Sequence, residues 1–174
     1  PLYSFIKRLF DIVVSFLGLV VLLVPMLIIS LIIVIDSPGS APFFVQKRVG
    51  KNGREFNFYK FRSMVPNADK LLETLLDQNE MEGPGFKMKD DPRITKIGKF
   101  IRKTSIDELP QFFNVLKGDM SLVGPRPLLP SELTGNYTPE ERQMLMSVAP
   151  GLTGYWQAVA RNESSYATGE RQKQ

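Results

Sequence analysis

The 174-residue chain contains neither His nor Cys, and its 22 basic against 18 acidic residues leave a formal net charge of +4. These absences exclude disulfides, thiolate or imidazole metal sites and the commonest general base. Chemistry must then rest on carboxylates, hydroxyls, Lys or Tyr, and a metal would be a hard cation on oxygen, which points to magnesium. So mild a basic excess suits an anionic membrane surface or phosphorylated substrates and not a dedicated nucleic-acid binder, and the length allows one domain with an appendage.

From Ile12 to Ile35 every residue is apolar, Gly, Ser or Pro. As a helix this segment reaches about 36 Å, enough to cross a hydrocarbon core. A soluble core helix so uniformly apolar would need a much larger protein around it, and the apolar run is too long for a signal peptide. Pro25 near its middle removes a backbone hydrogen bond and predicts a kink. Lys7 and Arg8 precede the segment and Lys47, Arg48, Lys51 and Arg54 follow it. The positive-inside rule places both flanks on the cytoplasmic side, which a re-entrant helix satisfies and a straight span does not. The expected organisation is a re-entrant membrane anchor over residues 1–36 and a catalytic domain at the membrane face over 37–174.

Phe43-Phe44-Val45 reads as a short strand or an interfacial aromatic anchor. Gly50-Lys51-Asn52-Gly53 reads as a hairpin turn, followed by a strand from Glu55 to Arg62. Alternation puts Phe56, Phe58 and Lys60 on one face and Asn57, Tyr59 and Phe61 on the other. Lys60 and Arg62 beside aromatics suit a phosphate as well as a plain surface. After Pro66, Asn67 to Asp77 predicts an amphipathic helix with a Leu71, Leu72, Leu75, Leu76 stripe, packed on the core or laid on a bilayer. Gly83-Pro84-Gly85 ends it, and a charged loop from Lys87 follows. Thr95 to Lys103 predicts a basic amphipathic helix.

That helix leads into Thr104-Ser105-Ile106-Asp107-Glu108-Leu109-Pro110-Gln111, where adjacent carboxylates lie between apolar residues just after a basic run. An aspartate there can attack phosphorus to form an acyl-phosphate, with cations or a metal offsetting the crowded charge. A helix start, with Ser105 as N-cap and Glu108 as capping-box partner, is the alternative, and both readings are compatible. Leu109 to Leu116 forms a further apolar face ending at Lys117-Gly118-Asp119. Ser121 to Pro127 reads as a Pro-locked loop holding Arg126 extended, a structural turn or an anion contact. Thr138-Pro139-Glu140-Glu141 starts a helix to about Val148. Pro150 to Gln157 reads as a turn with Tyr155 and Trp156 suited to an interface or to base stacking. There is no internal repeat and no P-loop.

In order, these motifs are Lys7-Arg8-x-x-Asp11 with the apolar segment, Gln46-Lys47-Arg48-Val49-Gly50, Tyr59 to Met64, Asp91-Pro92-Arg93-Ile94-Thr95, Gly98-x-x-x-Arg102-x-x-Ser105-x-Asp107-Glu108-Leu109-Pro110-Gln111, Gly124-Pro125-Arg126-Pro127 and Pro150 to Gly154. Together they resemble the bacterial sugar transferase family, the monotopic phosphoglycosyl transferases, from Lys7 to Asn162. The resemblance implies an α+β, mostly helical fold with a re-entrant membrane helix-hairpin, amphipathic interfacial helices and a small β-hairpin. It implies transfer of a sugar 1-phosphate from a UDP-sugar to a polyprenyl phosphate, with release of UMP, at the cytoplasmic face of the bacterial inner membrane. Asp107 is then the nucleophile and Glu108 its assistant as base or through Mg2+, the two being the implied metal ligands. Arg102, Lys60, Arg62, Arg93 and Arg126 would bind phosphates or the nucleotide. The implied partners are the two substrates and the bilayer, with a homodimer left open and no nucleic acid.

Two features depart from the family pattern. Small members break the membrane helix at Ser-Pro, where this chain has Val24-Pro25, and members continue into further helices beyond the segment matching Ala160-Arg161-Asn162, so the C-terminus reads as truncated. A membrane-bound phosphatase or diphosphatase, a non-catalytic membrane scaffold, and the C-terminal catalytic part of a longer protein are the competing readings. The membrane position itself makes physical sense: a polyprenyl chain leaves the bilayer at a cost of about 0.8 kcal/mol per CH2, so the site must come to it.

Overall fold

A computed structural model describes residues 2–78, 88 and 90–154. The apolar segment and its basic prelude form a single helix, α1 (Leu2–Asp36), which runs as α-helix through Pro25. By length and composition it is able to cross a membrane. It does not stand apart from the rest of the chain. One stripe, through Lys7, Asp11, Ser15, Gly18, Leu22, Met26, Ile29 and Ile33, is buried or half-buried, and most of the remaining surface is exposed Leu, Ile, Val and Phe. The spacing of three and four residues is that of one helix face, so α1 packs along the domain by one side and leaves its other apolar side uncovered.

The two halves of α1 dock differently. In the first turns Arg8 donates to the carbonyls of Val115 (2.6 Å) and Leu116 (2.8 Å) at the end of α4 (Gln111–Lys117). The Val115 carbonyl also accepts from the Gly118 N–H at 3.0 Å, and a cation at that helix end suits the dipole. Asp11 is buried and accepts from Ser121 Oγ (2.8 Å), the Leu122 N–H (3.1 Å) and Lys7 Nζ (3.3 Å); Lys7 also reaches Ser121 Oγ. In the later turns the attachment is apolar. Ile33 forms a core with Phe61 and Ile101, against which Met26, Ile29, Ile97, Ile106 and Leu109 pack.

The predicted hairpin is present as β1 (Phe43–Val49) antiparallel to β2 (Glu55–Phe61), with Phe44 opposite Lys60, Gln46 opposite Phe58 and Arg48 opposite Phe56. Its turn uses left-handed φ values of 57° at Asn52 and 75° at Gly53, as an Asn-Gly pair allows. Helix α4 lies along the open edge of β2, where the buried Asn114 stands in for a strand. Its Oδ1 accepts from the Tyr59 N–H (3.1 Å) and its Nδ2 donates to the Asn57 carbonyl (2.7 Å). The edge is thereby closed against further pairing. Phe56 and Phe58 pack with Val115 and Met120, extended by Leu122 and Leu152.

Helices α2 (Ala68–Leu75), α3 (Lys96–Lys103) and α6 (Pro139–Met146) occupy the predicted segments. Thr95 caps α3 by accepting from the Gly98 N–H at 3.0 Å. Gly98 is required by close approach, since a Cβ there would lie 2.0 Å from the Ser63 carbonyl oxygen. Helix α6 begins with the reciprocal Thr138–Glu141 capping box. Two segments read as turns are in part short parallel strands, β3 (Ser121–Val123) and β4 (Gly151–Thr153). They approach so closely at Gly124 and Gly151 that a Cβ on Gly151 would lie 2.1 Å from the Gly124 nitrogen, and nothing local to either stretch announces that pairing. Helix α5 (Pro130–Asn136) was not anticipated, although Pro130 at its first position and Glu132, whose carboxylate accepts from the Leu129 N–H at 2.8 Å, are its start signal. The Gly83-Pro84-Gly85 helix end, Lys87, Tyr155, Trp156 and Ala160-Arg161-Asn162 lie outside the described residues.

Candidate active site

Asp107 and Glu108 occupy a single 3-10 turn, Ile106–Glu108, between α3 and α4. The turn is held by its apolar neighbours: Ile106 and Leu109 pack against Phe61, Ile101 and Ile33. Burying each of those core side chains contributes on the order of 1.5–3 kcal/mol, so the carboxylates are presented on a supported surface rather than a free loop. The capping-box expectation at Ser105 is corrected. Its side chain makes no cap hydrogen bond, and its backbone takes the left-handed conformation (φ 60°, ψ 15°). That conformation costs a non-glycine residue roughly 1–2 kcal/mol and separates α3 from the turn that carries the dyad. Freed from capping, Glu108 reaches Lys60 instead.

Lys60, near the end of β2, places its ammonium 3.2 Å from Glu108 Oε1 and 3.7 Å from Asp107 Oδ2. The Asp107 residue is 7% exposed, whereas the Glu108 side chain is 31% and Lys60 28% exposed. A buried carboxylate, a neighbour open to solvent and one shared cation thus form the centre of the site. The Lys60 ammonium also lies 5.5 Å from the centroid of the Phe58 ring, which fixes its approach.

The other cations expected at the site are dispersed. Arg102 lies on the exposed face of α3, one turn before the dyad, with no side-chain ion pair among the described residues. Arg62 donates through Nε to the Ala41 carbonyl at 2.8 Å. Arg93 is buried and gripped by Asp91, with Nη2–Oδ2 at 2.6 Å and Nε–Oδ1 at 2.9 Å. Hydrogen bonds from Arg93 hold the Asp91 carboxyl below its ordinary range against the opposing effect of burial, and the charge of Arg102 adds to them. Arg126 is exposed beside a shallow depression lined by Val49, Gly50, Leu128, Leu133 and Met146. Between it and Lys60 stands Arg48, 5.4 Å from the same Phe58 ring centroid.

Among the described residues no three acidic side chains cluster as a metal cage. The donor set at Asp107 and Glu108 nevertheless fits Mg2+, which is commonly held by one or two carboxylates and completed by substrate phosphates and water. Sequence reasoning took Lys7 and Arg8 for topology signals and passed over Asp11, Arg48 and Asn114 as placing residues. The one local signal was a lone acid, Asp11, at the edge of a long apolar run.

The bacterial sugar transferase family model matches residues 2–173. The galactosyl transferase CpsE of Streptococcus agalactiae is 53% identical over 156 residues, 90% of this chain and 34% of that protein. The undecaprenyl-phosphate galactose phosphotransferase of Salmonella typhimurium is 47% identical over 168 residues, 94% of this chain and 34% of that protein. The exopolysaccharide production protein ExoY of Sinorhizobium fredii is 38% identical over 172 residues, 97% of this chain and 75% of that protein. The chain therefore spans about a third of the length of the first two and most of the third. With a family match that runs almost end to end over the fold and the acidic turn just described, the chain belongs to the bacterial sugar transferase family.

Proposed function

We propose that this chain transfers a sugar 1-phosphate from a UDP-sugar to a polyprenyl phosphate through a covalent intermediate on Asp107. The observation that carries the reading is the Lys60–Asp107–Glu108 cluster on its rigid turn. An Asp107 carboxylate oxygen attacks the phosphorus bearing the sugar, the bond to the bridging oxygen breaks, and UMP departs with that oxygen. An oxygen of the polyprenyl phosphate then attacks the same phosphorus, forming the lipid diphosphate-sugar and returning Asp107 as carboxylate. Lys60 shields the negative charge that would otherwise repel an incoming diphosphate, and Glu108, the more exposed acid, assists as base or metal ligand. Asp107 and Glu108 would hold Mg2+, which supplies charge neutralisation on the phosphate oxygens. Arg102, Arg62 and Arg126 complete the proposed phosphate and nucleotide contacts, whereas Arg93, closed onto Asp91, supports the fold beside them. Names of relatives support the substrate classes: one from Erwinia amylovora is a UDP-galactose-lipid carrier transferase.

The proposed setting is the cytoplasmic face of the bacterial inner membrane, with α1 entering and leaving the bilayer on one side. Support comes from the docking of both halves of α1 on the same domain, through Arg8 and Asp11 at one end and Ile33 at the other. Impermeant thiol labelling of Cys placed at Ser4 or Ser40 tests the topology, and labelling from opposite sides would sink it. The chemistry is tested with labelled UDP-galactose and Mg2+ in the absence of acceptor. UMP should appear in an amount stoichiometric with protein, leaving label on the chain, and added polyprenyl phosphate should move that label to lipid. Release of free phosphate or sugar phosphate to water would favour a phosphatase instead.

A further inference from the structure

We infer that Arg48 is a positioning residue that sets the spacing between Arg126 and Lys60, the two cationic ends of the donor site. The inference rests on the transferase reading above. Arg48 projects from β1 with a side chain only 11% exposed, and its guanidinium links its own strand to the Gly124–Pro127 loop and to α5. Nη1 donates to the Pro127 carbonyl at 3.2 Å and lies 3.3 Å from Glu132 Oε2; Nη2 donates to Gln46 Oε1 at 2.7 Å. Its guanidinium carbon lies 5.4 Å from the centroid of Phe58, the ring that also carries Lys60.

Each contact has a geometric consequence. The Pro127 carbonyl directly follows Arg126, so the bond sets the exit of the Gly124–Pro127 loop and with it the base of the Arg126 side chain. Backbone pairing reinforces it next door, where the Val49 N–H donates to the Leu128 carbonyl at 2.9 Å. Glu132 ties the same guanidinium to the start of α5, because its Oε2 also accepts from the Leu129 N–H. At the other end Arg48 confines the Phe58 ring on which Lys60 rests, and Lys60 in turn meets Asp107 and Glu108. Burial lowers the pKa of Arg48 from its ordinary value, Glu132 raises it, and the charge of Arg126 lowers it further, which places the two cations within electrostatic reach. A planar fork gripping a carbonyl, a carboxylate and an amide beside an aromatic ring is work that an ammonium cannot reproduce.

The test is a double-mutant cycle read as the Kd for UDP, measured by calorimetry on the detergent-solubilised chain with Mg2+. Arg48→Lys keeps the charge and loses the fork, and it should raise the Kd about tenfold in the wild-type background. Added to Arg126→Ala it should raise the Kd by clearly less than tenfold, because only the part that acts through Lys60 is left. Effects that multiply independently would overturn the positioning role and leave the transferase reading standing. A wild-type chain that does not bind UDP would overturn the donor reading and the inference with it. Should Arg48→Lys melt below the assay temperature, Gln46→Leu removes the Nη2 acceptor alone. It should show a smaller rise, about threefold, that again shrinks beside Arg126→Ala.

Discussion

Two cation–carboxylate groups have their acids just before and just after α3, and they are built in opposite ways. Arg93 and Asp91 form a closed pair: both are buried, the fork is engaged through several bonds, and the Asp91 carboxylate also accepts from the Arg93 backbone N–H at 3.0 Å. Lys60, Asp107 and Glu108 form an open group, in which one point charge is shared at 3.2 and 3.7 Å between two acids and reached by solvent from one side. A closed pair resists exchange and fixes backbone. An open group, reached by solvent, is able to trade its lysine contact for a phosphate or a metal. The same residue types thus serve architecture in one place and chemistry in the other, and the distinction lies in geometry and access.

Substitutions sharpen this contrast, and the largest effect belongs to the open group. Asp107→Asn should keep the fold while covalent labelling by the UDP-sugar disappears and turnover falls by about 10⁴-fold or more. If that variant still labels, Asp107 is not the nucleophile, and Thr104 or Ser105 becomes the candidate. Glu108→Gln should lower turnover by about 10²–10⁴-fold, read in the same UMP assay, with circular dichroism unchanged.

In the closed pair, Arg93→Gln should act first on stability, by about 3–5 kcal/mol, because it leaves a buried carboxylate without its cation. A melting temperature within a degree of wild type would show that the pair is not the clamp described. Acid should reach the same pair. The Asp91 carboxyl titrates lower folded than unfolded, so its stabilisation is fully present above about pH 4 and is lost as pH falls through the folded value. Acid unfolding curves for wild type and Asp91→Asn should therefore converge at low pH. The smallest effect belongs to the strained hinge before the dyad. Ser105→Gly relieves a φ of 60° without removing any cap bond and should stabilise by about 0.5–1 kcal/mol, whereas Ser105→Val should destabilise.

Much of this organisation is legible in the residues. The α1 segment shows through its uninterrupted apolar run, the hairpin through Asn52-Gly53 and the alternation of Phe56, Phe58 and Lys60, and α3 and α6 through Thr95 and Thr138 at their starts. Asp107 and Glu108 stand out because a chain without His or Cys has few other groups fit for the task. These are local signals, set by period, propensity and chemical type within a few residues.

Tertiary structure decided what contacts across long separations decide. It determined that Glu108 turns to Lys60 rather than back to a cap, since the left-handed Ser105 lies between α3 and a turn whose Ile106 and Leu109 pack against Phe61 and Ile101. It assigned Arg93 to Asp91 and left Arg102 exposed, though both are simply arginines near acids in the sequence. It paired Ser121–Val123 with Gly151–Thr153 through a close approach of two glycines. It also gave Asp11 its partners on β3, more than a hundred residues away. A residue's type states which bonds it is able to make, whereas its partner depends on which distant groups the packed core brings within about 3 Å.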